Sequence, residues 1–187
     1  MSEILIIYAS DYGNTKKMAE TVAEGVRTVK ESQVILKTTE EVTADDMLKS
    51  DGIIFASPVH MGSLDWRVKK VIDTVCSELW MKDQLVGKVG AVCATGSGFG
   101  NGGGGAEMTM LSMLTNIAEL GMIIVPLPKS TPGYSRGGLQ WGPWARSADE
   151  NLNPSALAEK SLLAAKHHGA NVARIADLVK GKELFAK

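Results

Sequence analysis

The chain has 187 residues, 44% of them hydrophobic and 22% charged, with twenty basic residues against twenty-one acidic ones and a net charge of −1. That apolar content excludes a disordered chain, and the charge balance argues against a nucleic-acid binder. Two cysteines, Cys76 and Cys93, lie in runs that read as helix and strand and are too few for a disulfide framework or a zinc site, and the three histidines, His60, His167 and His168, lack ligand spacing for a metal. No run approaches the roughly 20 apolar residues of a membrane span, and Met1–Ile7 lacks the marks of a signal peptide. A cytoplasmic protein without membrane insertion is expected.

In chain order, Ile4–Ala9 is nearly continuous in apolar character, which suits a strand covered on both faces. Asn14–Lys30 places Met18, Val22, Val26 and Val29 at helical spacing. Gln33–Lys37 reads as a second strand and Thr43–Leu48 as a short helix capped by Thr43. Ile53–Ala56 is a third strand that stops at Ser57-Pro58, and Asp65–Leu79 is helical. Val89–Ala94 is the fourth strand, Glu107–Leu120 a helix and Met122–Val125 the fifth strand. Asn153-Pro154 supplies a cap and a first-turn proline for a last helix that runs to about Leu178. His167 and His168 fall on what reads as its exposed side.

Strands alternating with helices predict one α/β domain, a five-stranded parallel sheet joined by right-handed crossovers. In such a sheet the loops at the carboxyl ends of the strands carry the site. Two of these loops are unusual. Gly96–Gly105 holds seven glycines in ten residues, and Pro126–Asn153 is long and carries Tyr134, Trp141 and Trp144. Gly98–Gly103 matches a dinucleotide-binding glycine pattern, but composition alone produces that match in so glycine-rich a run.

The first loop, Ser10-Asp11-Tyr12-Gly13-Asn14-Thr15, is more informative. Hydroxyls, an amide and a glycine turn just before a helix form a phosphate site that needs no basic side chain. The plainer reading is a helix start capped by Asn14 or Thr15. The lysine of a nucleoside-triphosphate P-loop is missing, and no aspartate ends the third strand as a phosphoacceptor domain requires.

Ile4-Leu5-Ile6-Ile7-Tyr8-Ala9-Ser10-Asp11-Tyr12-Gly13-Asn14-Thr15, with Met18-Ala19, resembles the opening signature of the flavodoxin superfamily. Later segments resemble its WrbA-type NAD(P)H:quinone oxidoreductase branch. They are Asp51–Gly62, Thr95-Gly96-Ser97-Gly98, Glu107-Met108-Thr109, Gly121-Met122, Arg136-Gly137-Gly138 and Trp141-Gly142. The resemblance implies a flavodoxin-like doubly wound sheet of order 2-1-3-4-5. It also implies flavin mononucleotide (FMN) as cofactor, NADH or NADPH as donor and a quinone-like acceptor. Ser10, Tyr12, Gly13, Asn14 and Thr15 would cradle the phosphate. Pro58, Val59, His60, Met61 and Gly62 would run along the isoalloxazine, and Thr95, Gly96, Ser97 and Gly98 would meet its pyrimidine end. Trp80 matches a tryptophan that lines the pocket above the ring, and His60 stands where it could donate a proton.

The chain also departs from that branch. Glu119-Leu120 stand where the branch carries its substrate-side histidine. An insertion tied to tetramer assembly is missing between Lys37 and Asp51, which leaves a homo-oligomer, dimer or tetramer, open. Trp141 and Trp144 could wall the substrate cavity or anchor a subunit interface. The alternative to an enzyme is an electron carrier of the flavodoxin type. Such carriers are usually strongly acidic, and this chain is not.

Overall fold

The computed structural model describes residues 1–98 and 103–185. Phe99–Gly102, and with them most of the glycine-pattern match at 98–103, lie outside the described residues. Strand β1 (Glu3–Tyr8) lies between β2 (Gln33–Thr38) and β3 (Gly52–His60), and β3 pairs in parallel with β5 (Val89–Gly96). The order β2-β1-β3-β5 is the predicted flavodoxin-like arrangement. β1, β3 and β5 bury alternate residues in two separate cores, one on each face. Leu5, Ile7, Ile53, Phe55 and Val92 belong to one; Ile4, Ile6, Ile54, Ala91 and Cys93 belong to the other. Continuous apolar runs are what such two-sided burial demands.

The first face is covered by α2 (Ala44–Lys49), by the helix that starts at Trp66 and by α5 (Ala106–Glu119). The second is covered by α1 (Asn14–Arg27) and α7 (Glu159–Val179). Thr43 caps α2 as expected, in a capping box closed by Asp46. The helix expected at 65–79 begins with Asp65 as its cap. It runs as α3 (Trp66–Val71), a π-helical turn (Ile72–Cys76) and α4 (Ser77–Trp80).

Four expectations need correction. The third strand does not stop before Ser57-Pro58: it continues to His60 and turns back into β4 (Ser63–Leu64) as a hairpin. The fifth strand is split. β6 (Ile123–Ile124) pairs with the start of β5, while β8 (Gly142–Arg146) pairs with its end, at Ala94–Gly96. Between the halves lie α6 (Tyr134–Gly137) and β7 (Gly138–Leu139), which pairs antiparallel with β8. The long segment is therefore partly sheet, and Trp141 and Trp144 pack half-buried against the first core.

The third correction is that Asn153-Pro154 does not open α7. Pro154 bridges back to Ala148, and the helix begins at Glu159 after an uncapped Ala158. The fourth concerns His168, which is wholly buried. It lies at i+3 and i+4 from Ala165 and Ala164 and at i−4 from Val172, on the apolar stripe of α7. Both its ring nitrogens lack a hydrogen-bond partner, and burial pushes its pKa down to about 4. No helix among the described residues is long and apolar enough to cross a membrane.

A histidine kept neutral by burial binds its proton more readily in the unfolded chain. Its contribution to stability is therefore whole above pH 6.5 and is lost as the pH falls from 6.5 towards about 4. The loss amounts to about 3 kcal/mol. His168→Leu is expected to flatten this part of the stability profile, as read from urea midpoints between pH 7 and pH 4.5.

Candidate functional site

Because β1, β3, β5 and β8 run parallel, their carboxyl ends meet at one edge, and a cleft of about 190 Å³ opens there. Its first wall is the β1–α1 turn. Gly13 adopts φ +85°, a conformation costly for residues with a Cβ, and starts α1 with no side-chain cap. Neither Asn14 nor Thr15 caps the helix. Asn14 Nδ2 donates to the Ser147 carbonyl at 3.2 Å, and the buried Thr15 hydroxyl meets that of Thr95 at 2.7 Å. The amides of the first turn are thus left for a ligand, and the helix end adds its partial positive charge. Ser10, Tyr12, Asn14 and Thr15 line the cleft, while Gly13 shapes the turn without lining it.

The second wall is the β3–β4 hairpin. Pro58, Val59 and His60 line the cleft, and Met61 and Gly62, both at positive φ, make the hairpin tip beyond it. A Cβ on Gly105 would sit 2.6 Å from Gly62, so the tip leans directly on the start of α5. The third wall is the end of β5. Thr95, Gly96 and Ser97 line the cleft, and Gly98 is buried behind them.

A fourth wall escaped the sequence reading. Ser147, Ala148, Leu152 and Pro154 close the cleft from the turn after β8. Asp149 organises that turn by accepting from the Asn151 and Asn153 amides, each at 2.9 Å. The signal was present in Asp149, Asn151 and Asn153, a spacing suited to carboxylate-to-amide turns, but Asn153-Pro154 was assigned to the helix.

Asp11, in the first loop, was also not foreseen as part of a cluster. His60 Nε2 lies 3.1 Å from Asp11 Oδ2, and His60 Nδ1 lies 2.9 Å from Asp65 Oδ2. Arg67 Nη2 bridges the same two residues, 2.8 Å from Asp11 Oδ1 and 2.6 Å from Asp65 Oδ2. Asp65 is fully buried, accepts from the Arg67 amide as the cap of α3, and donates its own amide to Ser57 Oγ. Burial opposes its charge, but hydrogen bonds and charge from Arg67, with His60 adding to them, hold its pKa below the ordinary value. The Asp65 hydrogen bond in turn raises that of Arg67.

Trp80 is not at the cleft. The helix that starts at Trp66 runs antiparallel to β3 and carries Trp80 to the opposite edge of the sheet. There it lines a separate groove with Glu119 and Leu120. Cys76 and Cys93 are buried and free, and burial pushes both thiols up to about 12, which leaves no reactive thiolate.

A mostly parallel sheet of order β2-β1-β3-β5 with helices on both faces defines an α/β protein of flavodoxin-like fold. The flavodoxin domain profile matches residues 5–96. An NAD(P)H dehydrogenase (quinone) of Geotalea daltonii is 30% identical over 93% of this chain and 96% of its own. A flavodoxin of Aquifex aeolicus is 40% identical over 64% of each chain, so this protein spans under two thirds of that relative. Among solved structures, the flavodoxin WrbA-like protein from Agrobacterium tumefaciens superposes with a TM-score of 0.72 at 24% identity, over 96% of this chain and all of the other. The chain therefore belongs to the flavodoxin superfamily, in its WrbA-type branch. Membership implies a flavin cofactor and redox chemistry.

The Asp65–Arg67 pair yields a stability prediction. Arg67→Met leaves a buried carboxylate without its main partner and is expected to cost about 3 kcal/mol at pH 7, measured by urea unfolding. In the wild type, the lowered Asp65 pKa stabilises the fold above the unfolded value and ceases to do so as the pH falls through the folded one. A protonated Asp65 needs no cation, so the deficit of the variant should shrink below pH 4.

Proposed function

We propose that this chain is an FMN-dependent oxidoreductase that takes hydride from NADH or NADPH and passes two electrons to a quinone. The observation that carries the reading is the β1–α1 turn. It presents first-turn amides and hydroxyls to a cleft that, among the described residues, is lined by no lysine or arginine. A phosphate monoester is the ligand suited to such a turn. Asp11 stands in that turn without opposing an anion, because the Arg67 guanidinium pairs with it at 2.8 Å.

When bound, FMN supplies a ring that accepts hydride and returns electrons in pairs. Ser10, Tyr12, Gly13, Asn14 and Thr15 hold the phosphate. The cleft, about 190 Å³, is smaller than the roughly 300–1,000 Å³ of sites that enclose a whole drug-sized ligand. A cleft of this size would hold the phosphate end of FMN. Backbone groups of Pro58, Val59, His60, Met61 and Gly62 would hold the ring, and amides of Thr95, Gly96, Ser97 and Gly98 would offset negative charge on it. Trp80 has no part in this assignment.

The enzyme reading is supported by the quinone-reducing relative aligned over nearly the whole chain, and by the net charge of −1. One domain, cytoplasmic, would carry the activity. The Aquifex aeolicus flavodoxin, at 40% identity, favours a second reading, a carrier of electrons between redox proteins.

Mixing the FMN-loaded protein with NADH or NADPH under anaerobic conditions should bleach the flavin within seconds, and benzoquinone should restore its colour. Bleaching that takes many minutes with either nucleotide supports the carrier instead. Thr15→Val removes a hydroxyl from the phosphate turn. It is expected to weaken FMN binding about tenfold or more, by quenching of flavin fluorescence, since a hydrogen bond to a charged group contributes about 1.5–3 kcal/mol. Unchanged affinity would place the phosphate elsewhere.

A further inference from the structure

His60 is gripped from both sides. Each of its ring nitrogens faces a carboxylate oxygen, Nδ1 to Asp65 and Nε2 to Asp11. Carboxylates only accept, so the form that satisfies both contacts is the imidazolium, with two N–H donors. Arg67 completes a ring of two cations and two anions that joins the first loop, the hairpin and the start of α3. Asp11, Asp65 and Arg67 are the charged groups that face His60 among the described residues. The same three acid and imidazole groups are close enough to suggest a metal site. Arg67 Nη2, at 2.8 Å from Asp11 and 2.6 Å from Asp65, already supplies a cation to both carboxylates there.

The two carboxylates differ in kind. Asp65 is fully buried and fixed three further ways, by the Arg67 amide, by Arg67 Nε at 2.9 Å and through its own amide to Ser57. Asp11 is 38% exposed and lines the cleft. One partner anchors the imidazole and the other can be exchanged for a ligand atom.

We propose that Asp65 is a positioning residue that holds His60 as a two-donor imidazolium at the lip of the cleft, and that His60 Nε2 delivers the proton quinone reduction requires. This rests on the quinone-reductase reading. The balance is simple. Conversion of a quinone to a hydroquinone consumes two electrons and two protons, and a hydride equivalent carries both electrons but only one proton. The acceptor oxygen takes the place of Asp11 Oδ2 at Nε2, the Nε2–H bond breaks and an O–H bond forms. Asp11 stays neutralised by Arg67 through Oδ1, and the imidazole, 41% exposed, regains its proton from water. The role parallels that of a carboxylate which orients a catalytic histidine without itself being protonated.

Stopped-flow measurements can separate flavin reduction by NADH from flavin reoxidation by benzoquinone. His60→Gln, at a half-exposed position, should slow reoxidation about 100-fold at pH 7 and slow reduction far less. Asp65→Asn keeps a side chain able to cap α3. It should lower the NMR titration midpoint of His60 in the apoprotein by about one pH unit or more, and shift the alkaline limb of the reoxidation rate down equally. Reoxidation by His60→Gln at the wild-type rate and with the wild-type pH profile overturns the donor role. A His60 midpoint unmoved by Asp65→Asn overturns the positioning role. Wild-type protein that binds FMN but reduces no quinone removes the functional reading together with the donor role, while the apoprotein titration still decides whether Asp65 controls His60.

Discussion

A carboxylate with no solvent exposure is tolerable only where charge and hydrogen bonds replace the water it has lost, and Asp65 receives both from Arg67. That pairing fixes more than itself. Arg67 reaches on to Asp11 and so ties the β1–α1 turn to the start of α3. His60 joins the same two carboxylates and ties in the hairpin. Two of the four walls of the cleft are thereby held in register by one group of four side chains. A third is tied to the β1–α1 turn by the Thr15–Thr95 hydroxyl pair, and the fourth by the Asn14 contact to Ser147.

The wall contacts also show why Asn14 and Thr15 looked like helix caps. In sequence, a hydroxyl or amide beside the first helical residue has one obvious task, to satisfy a local amide. In the fold Thr15 reaches the end of β5 and Asn14 the turn after β8 instead, and the helix start keeps no side-chain cap. A local preference yields here to a tertiary contact, as is common where a site must keep unsatisfied groups.

Much of the architecture was legible because continuous apolar runs and helical stripes follow directly from two-sided burial, as in Ile4–Ile7 and in Met18, Val22 and Val26. The loops that line the cleft were legible through their hydroxyls and glycines. What escaped depended on pairing at a distance. The hairpin after Pro58 shows no strong turn dipeptide, since Met61-Gly62 supplies its positive φ without asparagine or aspartate. The second half of the fifth strand, Gly142–Arg146, opens with Gly-Pro-Trp and reads as loop until β5 is placed beside it. His168 looked exposed because imidazole is polar, although its spacing from Ala164, Ala165 and Val172 placed it on the buried stripe. Trp80 was assigned by likeness at a single position, which says nothing about the direction of the helix that carries it.

The divided fifth strand changes what lies beyond it. β8 is covered on its outer side by β7, a strand of two residues, and the residue paired with Gly138 is Pro143, which has no amide hydrogen to give. A row of free main-chain donors and acceptors is what lets one molecule graft its backbone onto another, and a margin strand of two residues keeps that row short. A second backbone laid along β7 would meet only Gly138 and Leu139 before the strand ends.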